Sequence, residues 1–354
     1  MEQNRKQFPS LTGLKAVMCL FVVFYHTLPV TPLMDAIPLT SMLRYIGGHV
    51  ANGVFFMISG YLMVNSYRDR ISSGSVSFGP FLYKKISKFY RIYLLTNGLS
   101  MILRMLRYGL SSINLHDVAM ILLMQNGGML RDNYPYNGAT WFICMLLVCN
   151  IVFFAVRYLA KNRTAYCCGL AGVIVWGYIA LTHDYKFPVV HTLMGVGLVN
   201  FFLGCALAEV YSYISRETHK WLSPLTLLGL AFAGFLMLKN GVDNALGSQL
   251  PGIAFGLSPM IVYSSLTNPL VSRLLSSKPM KALGKISISV FFWHMPLYEA
   301  ILQLKGRCTG NEMLTDLQYL GYLVLTLVVS YLSFRYLENG FFREKTGLRE
   351  KTGA

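Results

Sequence analysis

Leu11-Thr12-Gly13-Leu14-Lys15-Ala16-Val17-Met18-Cys19-Leu20-Phe21-Val22-Val23-Phe24-Tyr25-His26-Thr27-Leu28-Pro29-Val30 is the stretch on which the fold turns. It is apolar and about 20 residues long, enough for one helix to cross a bilayer. Lys15 and His26 interrupt it. Eleven residues are about three helical turns, so both side chains fall on one face, separated by roughly 16 Å along the axis. An ionisable group inside a membrane span is costly and is a functional candidate by default. Here a cation near one surface is matched with a titratable ring further in.

The rest of the chain repeats the apolar theme. Of its 354 residues 54% are hydrophobic and only 13% charged, and the mean hydropathy is +0.48. This composition excludes an ordinary soluble domain and implies an integral membrane protein. Ten spans are expected, at about 11–30, 46–64, 86–106, 139–160, 165–181, 193–213, 222–239, 250–267, 284–304 and 318–338. The apolar piece at about 118–124 is too short to cross and is expected to lie at the interface or re-enter.

Charge tests this layout independently, because Lys and Arg in short loops collect on the cytoplasmic side. With the N-terminus inside, the inner segments hold Arg5 and Lys6, then Arg68, Arg70, Lys84, Lys85 and Lys88, then Arg157, Lys161 and Arg163. They continue with Arg216, Lys220, Arg273, Lys278, Lys281 and Lys285, and end with the tail Arg335, Arg343, Lys345, Arg349 and Lys351. The outer segments hold far fewer. The expected fold is therefore an all-α polytopic membrane helix bundle of about ten helices, both termini cytoplasmic, forming a single membrane domain over 1–354 with no soluble domain. Loops facing an anionic leaflet account for the net charge of +16 without nucleic acid.

Six of the seven cysteines lie in expected spans and Cys308 in an outer loop, so no disulfide framework is implied, and no Cys/His spacing resembles a metal site. The first span lacks the cleavage pattern of a removable signal peptide. No internal repeat is evident, which weakens a transporter built from inverted halves. The outer loop at about 107–138 carries Gln125-Asn126-Gly127-Gly128 and Arg131-Asp132-Asn133-Tyr134-Pro135-Tyr136-Asn137-Gly138. These residues suit sugar hydroxyls, and equally suit an ordinary exposed turn.

Three further groups of residues could carry chemistry. Lys84, Lys88 and Arg91 are spaced by four and three, which places them on one helical face at the inner end of span three. Arg91 sits past the interface, and a buried guanidinium that keeps its proton requires an anion. In span two, Gly53 and Gly60 are seven apart and permit close helix contact, while Asn52 and Ser59 could hydrogen-bond in a polar cavity. Span nine reads Ser287-Ile288-Ser289-Val290-Phe291-Phe292-Trp293-His294-Met295-Pro296-Leu297-Tyr298-Glu299. It puts a second histidine beside a proline whose kink frees backbone carbonyls. His294 serves equally as a structural histidine or a functional one.

Read together, these segments resemble acyltransferase family three, membrane acyltransferases that modify envelope sugars and related acceptors. The family's Asp-Gly-Leu-Arg-Ala stretch, with a histidine about ten residues on, stands here as Thr12-Gly13-Leu14-Lys15-Ala16 and His26. Its Phe-Phe-x-x-Ser-Gly-Phe/Tyr is Phe55-Phe56-Met57-Ile58-Ser59-Gly60-Tyr61. Its Arg-x-x-Arg-Ile-Tyr-Pro is Lys88-Phe89-Tyr90-Arg91-Ile92-Tyr93-Leu94, and Trp141-Phe142-Ile143 and Phe292-Trp293-His294-Met295-Pro296 look like later landmarks. Thr12, Lys15, Lys88 and Leu94 depart from the pattern. The lysines keep charge but lose bidentate geometry. The tryptophan region lacks the Trp-Ser-Leu-x-x-Glu-Glu form of some members, which leaves open the group that orients His26.

The resemblance implies an enzyme, an acyl-CoA-dependent O-acyltransferase with no bound cofactor. Acyl-CoA, most commonly acetyl-CoA, is its cosubstrate, and the acceptor is a hydroxyl of an extracytoplasmic sugar or glycolipid. It places the protein in a bacterial inner or plasma membrane among membrane lipids. His26 is the expected catalytic base, Lys15, Lys88 and Arg91 the expected phosphate ligands, and Asn52, Ser59, Trp141 and His294 the expected cavity lining. A transporter or flippase of a polar or lipid-linked envelope precursor is the alternative. The acyl chain, the acceptor, direct transfer against a covalent acyl-enzyme, and the oligomeric state stay open.

Overall fold

The computed structural model describes residues 8–27, 38–125, 127, 136–183, 190–240 and 250–338. Outside them lie Arg5, Lys6, Arg343, Lys345, Arg349 and Lys351, the loop residues Asn126, Gly128 and Arg131 to Pro135, and the last residues of the first expected span. The described residues contain no strand. Helix α1 is Pro9–Thr27. Helix α2, Pro38–Tyr45, runs through a π-helical turn at Ile46–Val50 into α3, Ala51–Ser72. Helix α4 is Phe78–Tyr108 and α5 is Leu115–Leu122. Then come α6, Trp141–Leu159, α7, Arg163–Thr182, α8, Thr192–Tyr211, and α9, Arg216–Asn240. The short α10, Leu250–Gly252, leads through a second π turn to α11, Ser258–Thr267, and α12, Pro269–Leu275. Helix α13 is Lys278–Thr309, and α14, Asp316–Ser333, ends in a π-helical segment, Phe334–Glu338.

Local chemistry sets several of these starts. Asn162 caps α7 by accepting from the Ala165 N–H at 2.8 Å, and Asn268 caps α12 while Pro269 supplies a first-turn residue that needs no N–H. Thr315 and Gln318 form a reciprocal capping box at α14.

Each of the ten expected spans falls on a helix. Eight of the helical stretches are long and apolar enough to cross a membrane. The other two expected spans, 86–106 and 284–304, lie within α4 and α13, which have 31 and 32 residues. Their length suffices at about 1.5 Å per residue, but their polar residues keep them below the hydropathy of the other eight. These two helices pack against each other. The short apolar piece at 118–124 is met by the eight-residue α5, which is too short to cross.

Helix ends assigned by the alternating topology to one side of the membrane meet in space. At one end Arg68, at the close of α3, bonds to Glu209, at the close of α8, and Arg157 of α6 donates to the Arg68 carbonyl at 3.2 Å. At the other end Thr27 meets Tyr319 at 3.1 Å, and Arg107 pairs with Glu312 at 3.0 Å. Helix α9 presents Leu225, Leu228, Phe232, Phe235 and Leu238 outward, as does α14 with Leu320, Val324, Val328 and Leu332. Apolar faces of this extent are what lipid covers. Inside, one continuous hydrophobic cluster runs from Leu11 to Tyr322.

Two close crossings organise the interior. Helix α3 lies on α8 with Gly60 against the Phe201 backbone and Gly204 against the Met57 backbone, and Gly53 lies close against the Asn200 side chain of α8, so both glycines of span two stand at close helix contacts. Helix α1 lies on α13 with Gly284 against the Thr12 backbone, and the Cys19 thiol donates to the Ser287 carbonyl at 3.2 Å. No disulfide joins any of the seven cysteines.

Candidate active site

The α1–α13 crossing sets His26 beside His294. Their ring centroids are 5.3 Å apart, with the planes inclined at 45°. His26, one residue before the end of α1, is half-buried and has the Tyr25 ring edge-on at 4.8 Å. His294 is wholly buried. Its Nδ1 lies 3.2 Å from the Val290 carbonyl. A carbonyl only accepts, so this contact assigns the proton to Nδ1 and leaves Nε2 as an acceptor. That Nε2 is buried and has no hydrogen-bond partner among the described residues.

Pro296 explains part of the surrounding architecture. It has no N–H, so the carbonyl four residues earlier, on Phe292, loses its helical partner. Asn137 Nδ2 takes the vacancy, donating to Phe292 O at 3.0 Å. Nearby, the Tyr322 hydroxyl donates to the His294 carbonyl at 3.1 Å. The histidine backbone is thereby held by α14 as well as by its own helix.

A cavity of about 490 Å³ opens between α2, α3, α6, α8 and the π turn that follows α10. Its polar wall comprises Tyr45, His49, Asn52 and Thr192, with Trp141, Leu193, Val196, Leu250 and Ile253 as apolar surface. In the expected topology these are the extracytoplasmic ends of their helices. Gly48 also lines it, and a Cβ there would strike the Tyr25 ring. The Tyr25 ring is thus in contact with Gly48 of this wall and lies edge-on to the His26 ring.

At the other end of the bundle Lys15 is half-buried and Lys88 lies within electrostatic range of it. Glu338, at the end of the helical segment after α14, hydrogen-bonds to Ser289 of α13 and lies within electrostatic range of Lys88. Two lysines and a carboxylate thus share this mouth.

The sequence candidates are placed as follows. His26 and His294 come together. Asn52 and Trp141 line the 490 Å³ cavity, whereas Ser59 and His294 are not among its lining residues. The Ser59 hydroxyl instead donates to the Phe55 carbonyl at 2.8 Å. Lys15 and Lys88 are neighbours. Arg91 requires a correction: it was expected to be buried and is exposed. Lys84, Lys88 and Arg91 do share a helical face, and all three are exposed on it, whereas Tyr93, on the opposite face of the helix, is buried.

Three contributors were not singled out from sequence. His49 follows a Gly-Gly pair at the start of span two, a visible signal. Glu338 is a lone carboxylate at the end of the last span, equally visible. Tyr45 carries no signal that separates it from 21 other tyrosines.

The fold and the paired histidines define a multi-pass helical membrane protein with a polar site inside the bundle. A family model described as an acyltransferase domain, acyltransferase family three, matches residues 8–335, and the chain belongs to this family of membrane acyltransferases. No curated protein and no solved structure matches the chain.

Proposed function

We propose that the protein is an O-acyltransferase that moves an acyl group, most simply acetyl, from cytoplasmic acyl-CoA to a hydroxyl of an extracytoplasmic sugar or glycolipid. The observation that carries this reading is the arrangement along α1. A cation pair, Lys15 and Lys88, stands at one end, and the His26–His294 pair lies roughly 16 Å further along the helix.

The charged nucleotide of the donor stays at the mouth, where Lys15 and Lys88 meet its phosphates as point charges and Arg91 supplies a guanidinium at the rim. The thin pantetheine arm enters the bundle and brings its thioester towards His26. His26 accepts the proton of the acceptor hydroxyl as the oxygen attacks the thioester carbonyl. The C–O bond forms, the C–S bond breaks, and the proton passes from His26 to the departing CoA thiolate. The cavity lined by Asn52, His49 and Trp141 suits a polyhydroxylated acceptor, with amide and imidazole groups for hydroxyls and an indole face for a sugar ring.

Calorimetry with acetyl-CoA, together with thiol release from acetyl-CoA by the purified full chain, tests this. Binding lost in Lys88→Ala and kept in His26→Ala, with thiol release about 10²- to 10⁴-fold lower in His26→Ala, supports it. Absence of acetyl-CoA binding by folded wild-type protein overturns the acyl-CoA donor.

A further inference from the structure

The Trp141 region supplies no carboxylate to orient His26, and the structure offers another group for that task. We infer that His294 is the positioning residue of the site: its Nε2 accepts a hydrogen bond from the His26 ring N–H and so fixes which nitrogen of His26 faces the acceptor hydroxyl. The inference rests on the reading of His26 as the base.

Three observations carry it. First, His294 Nε2 is buried and has no partner among the described residues. A buried acceptor without a donor is costly, and an atom in this position calls for a partner. Second, the Nδ1 contact to Val290 O fixes the tautomer, so Nε2 presents a lone pair rather than a hydrogen. Third, the centroid separation of 5.3 Å suits a direct bond. A hydrogen bond of about 2.9 Å between two imidazole nitrogens sets the ring centres roughly 5 Å apart. A turn of the His26 ring brings one of its nitrogens onto Nε2.

The consequence for the chemistry is specific. With one His26 nitrogen donating to His294, the other carries the lone pair that receives the acceptor proton. Once His26 is protonated, its hydrogen bond to His294 becomes charge-assisted and stronger. His294 exchanges no proton in this scheme. Its own position is held by Val290 O through Nδ1 and by Tyr322 through its carbonyl, as a group that positions another must be.

The test uses detergent-solubilised full chain, with acetyl-CoA as donor and water or glycerol as acceptor, and reads thiol release. His294→Phe keeps a ring and removes the acceptor. His294→Gln sets an amide oxygen near the place of Nε2. The expected result is a kcat about ten- to a hundredfold lower in His294→Phe, an acetyl-CoA KM within about twofold of wild type, and recovery of most of the loss in His294→Gln. In a His26→Ala background His294→Phe should cost nothing further, because residues that act as a unit are non-additive. Wild-type kcat in His294→Phe, or a full additional loss in the double variant, overturns the inference.

Nitrogen spectra of ¹⁵N-histidine-labelled protein separate this from the donor question. The His294 signals should report a protonated Nδ1 and an Nε2 that moves in His26→Ala. A protonated Nε2, or one indifferent to His26→Ala, overturns the pairing. If wild type neither binds nor cleaves acetyl-CoA while the Nε2 signal responds to His26→Ala, the donor reading fails and the histidine pairing stands.

Discussion

Gly284 and Thr12 meet backbone to backbone: a Cβ on Gly284 would collide with the Thr12 carbonyl. The contact lies one end of the crossing away from His26 and His294, so the separation of α1 and α13 there governs the separation of the rings. Gly284→Ala forces the helices apart and is expected to destabilise the fold by about 1–3 kcal/mol, as overpacking does. A displacement of about 1 Å at a reacting centre costs about a hundredfold in rate. Thiol release should therefore fall more steeply than thermal stability, and comparison of the two in the same preparation checks this.

Lys88 and Glu338 should respond in opposite directions. Lys88→Ala removes a cation from the proposed donor mouth and should weaken acetyl-CoA binding, with a shallower dependence on salt. Glu338→Gln removes a carboxylate near Lys88 and should tighten binding several-fold. Calorimetric titrations at two ionic strengths distinguish this from a purely structural Glu338, whose loss would weaken binding or leave it unchanged.

Arg68 donates from one Nη1 to both oxygens of Glu209 at 3.0 Å, and the Glu209 side chain is only 8% exposed against 34% for Arg68. Breaking a buried pair from one side costs about 3–5 kcal/mol, and the partial exposure of Arg68 lowers this. The two deletions should be unequal. Arg68→Ala strands a buried carboxylate, whereas Glu209→Ala leaves Arg68 its bond to Asp69 at 2.9 Å. The thermal midpoint should fall further in Arg68→Ala.

Exposed cysteines report sidedness. Cys308 ends α13, and Cys167 and Cys168 stand near the start of α7. With both termini cytoplasmic, a membrane-impermeant maleimide added outside intact cells should label Cys308 and spare Cys167 and Cys168. Labelling in the reverse pattern would invert the topology.

The spans were legible because burial in lipid demands long apolar runs, and the ten expected segments all meet helices. Their ends were less so. Helices α4 and α13 begin eight and six residues before the expected spans (86 against Phe78, 284 against Lys278), since a helix can continue into water where hydropathy falls. Residues on one helix could be related by periodicity, which is why Lys15 and His26, and Lys84, Lys88 and Arg91, were grouped. Periodicity says which residues share a face but not where that face points, hence the misplaced Arg91. The approach of His26 to His294 links α1 to α13 across most of the chain, and no local pattern encodes it.

The bond from Asn137 to Phe292 gives Pro296 an effect opposite to the usual one. Replacing a proline inside a helix with alanine ordinarily repairs the ladder and stiffens the segment. Here the repaired ladder would reclaim the Phe292 carbonyl and evict Asn137, casting loose the turn at Gly138–Thr140 that leads into Trp141. The break in one helix is the mooring of another.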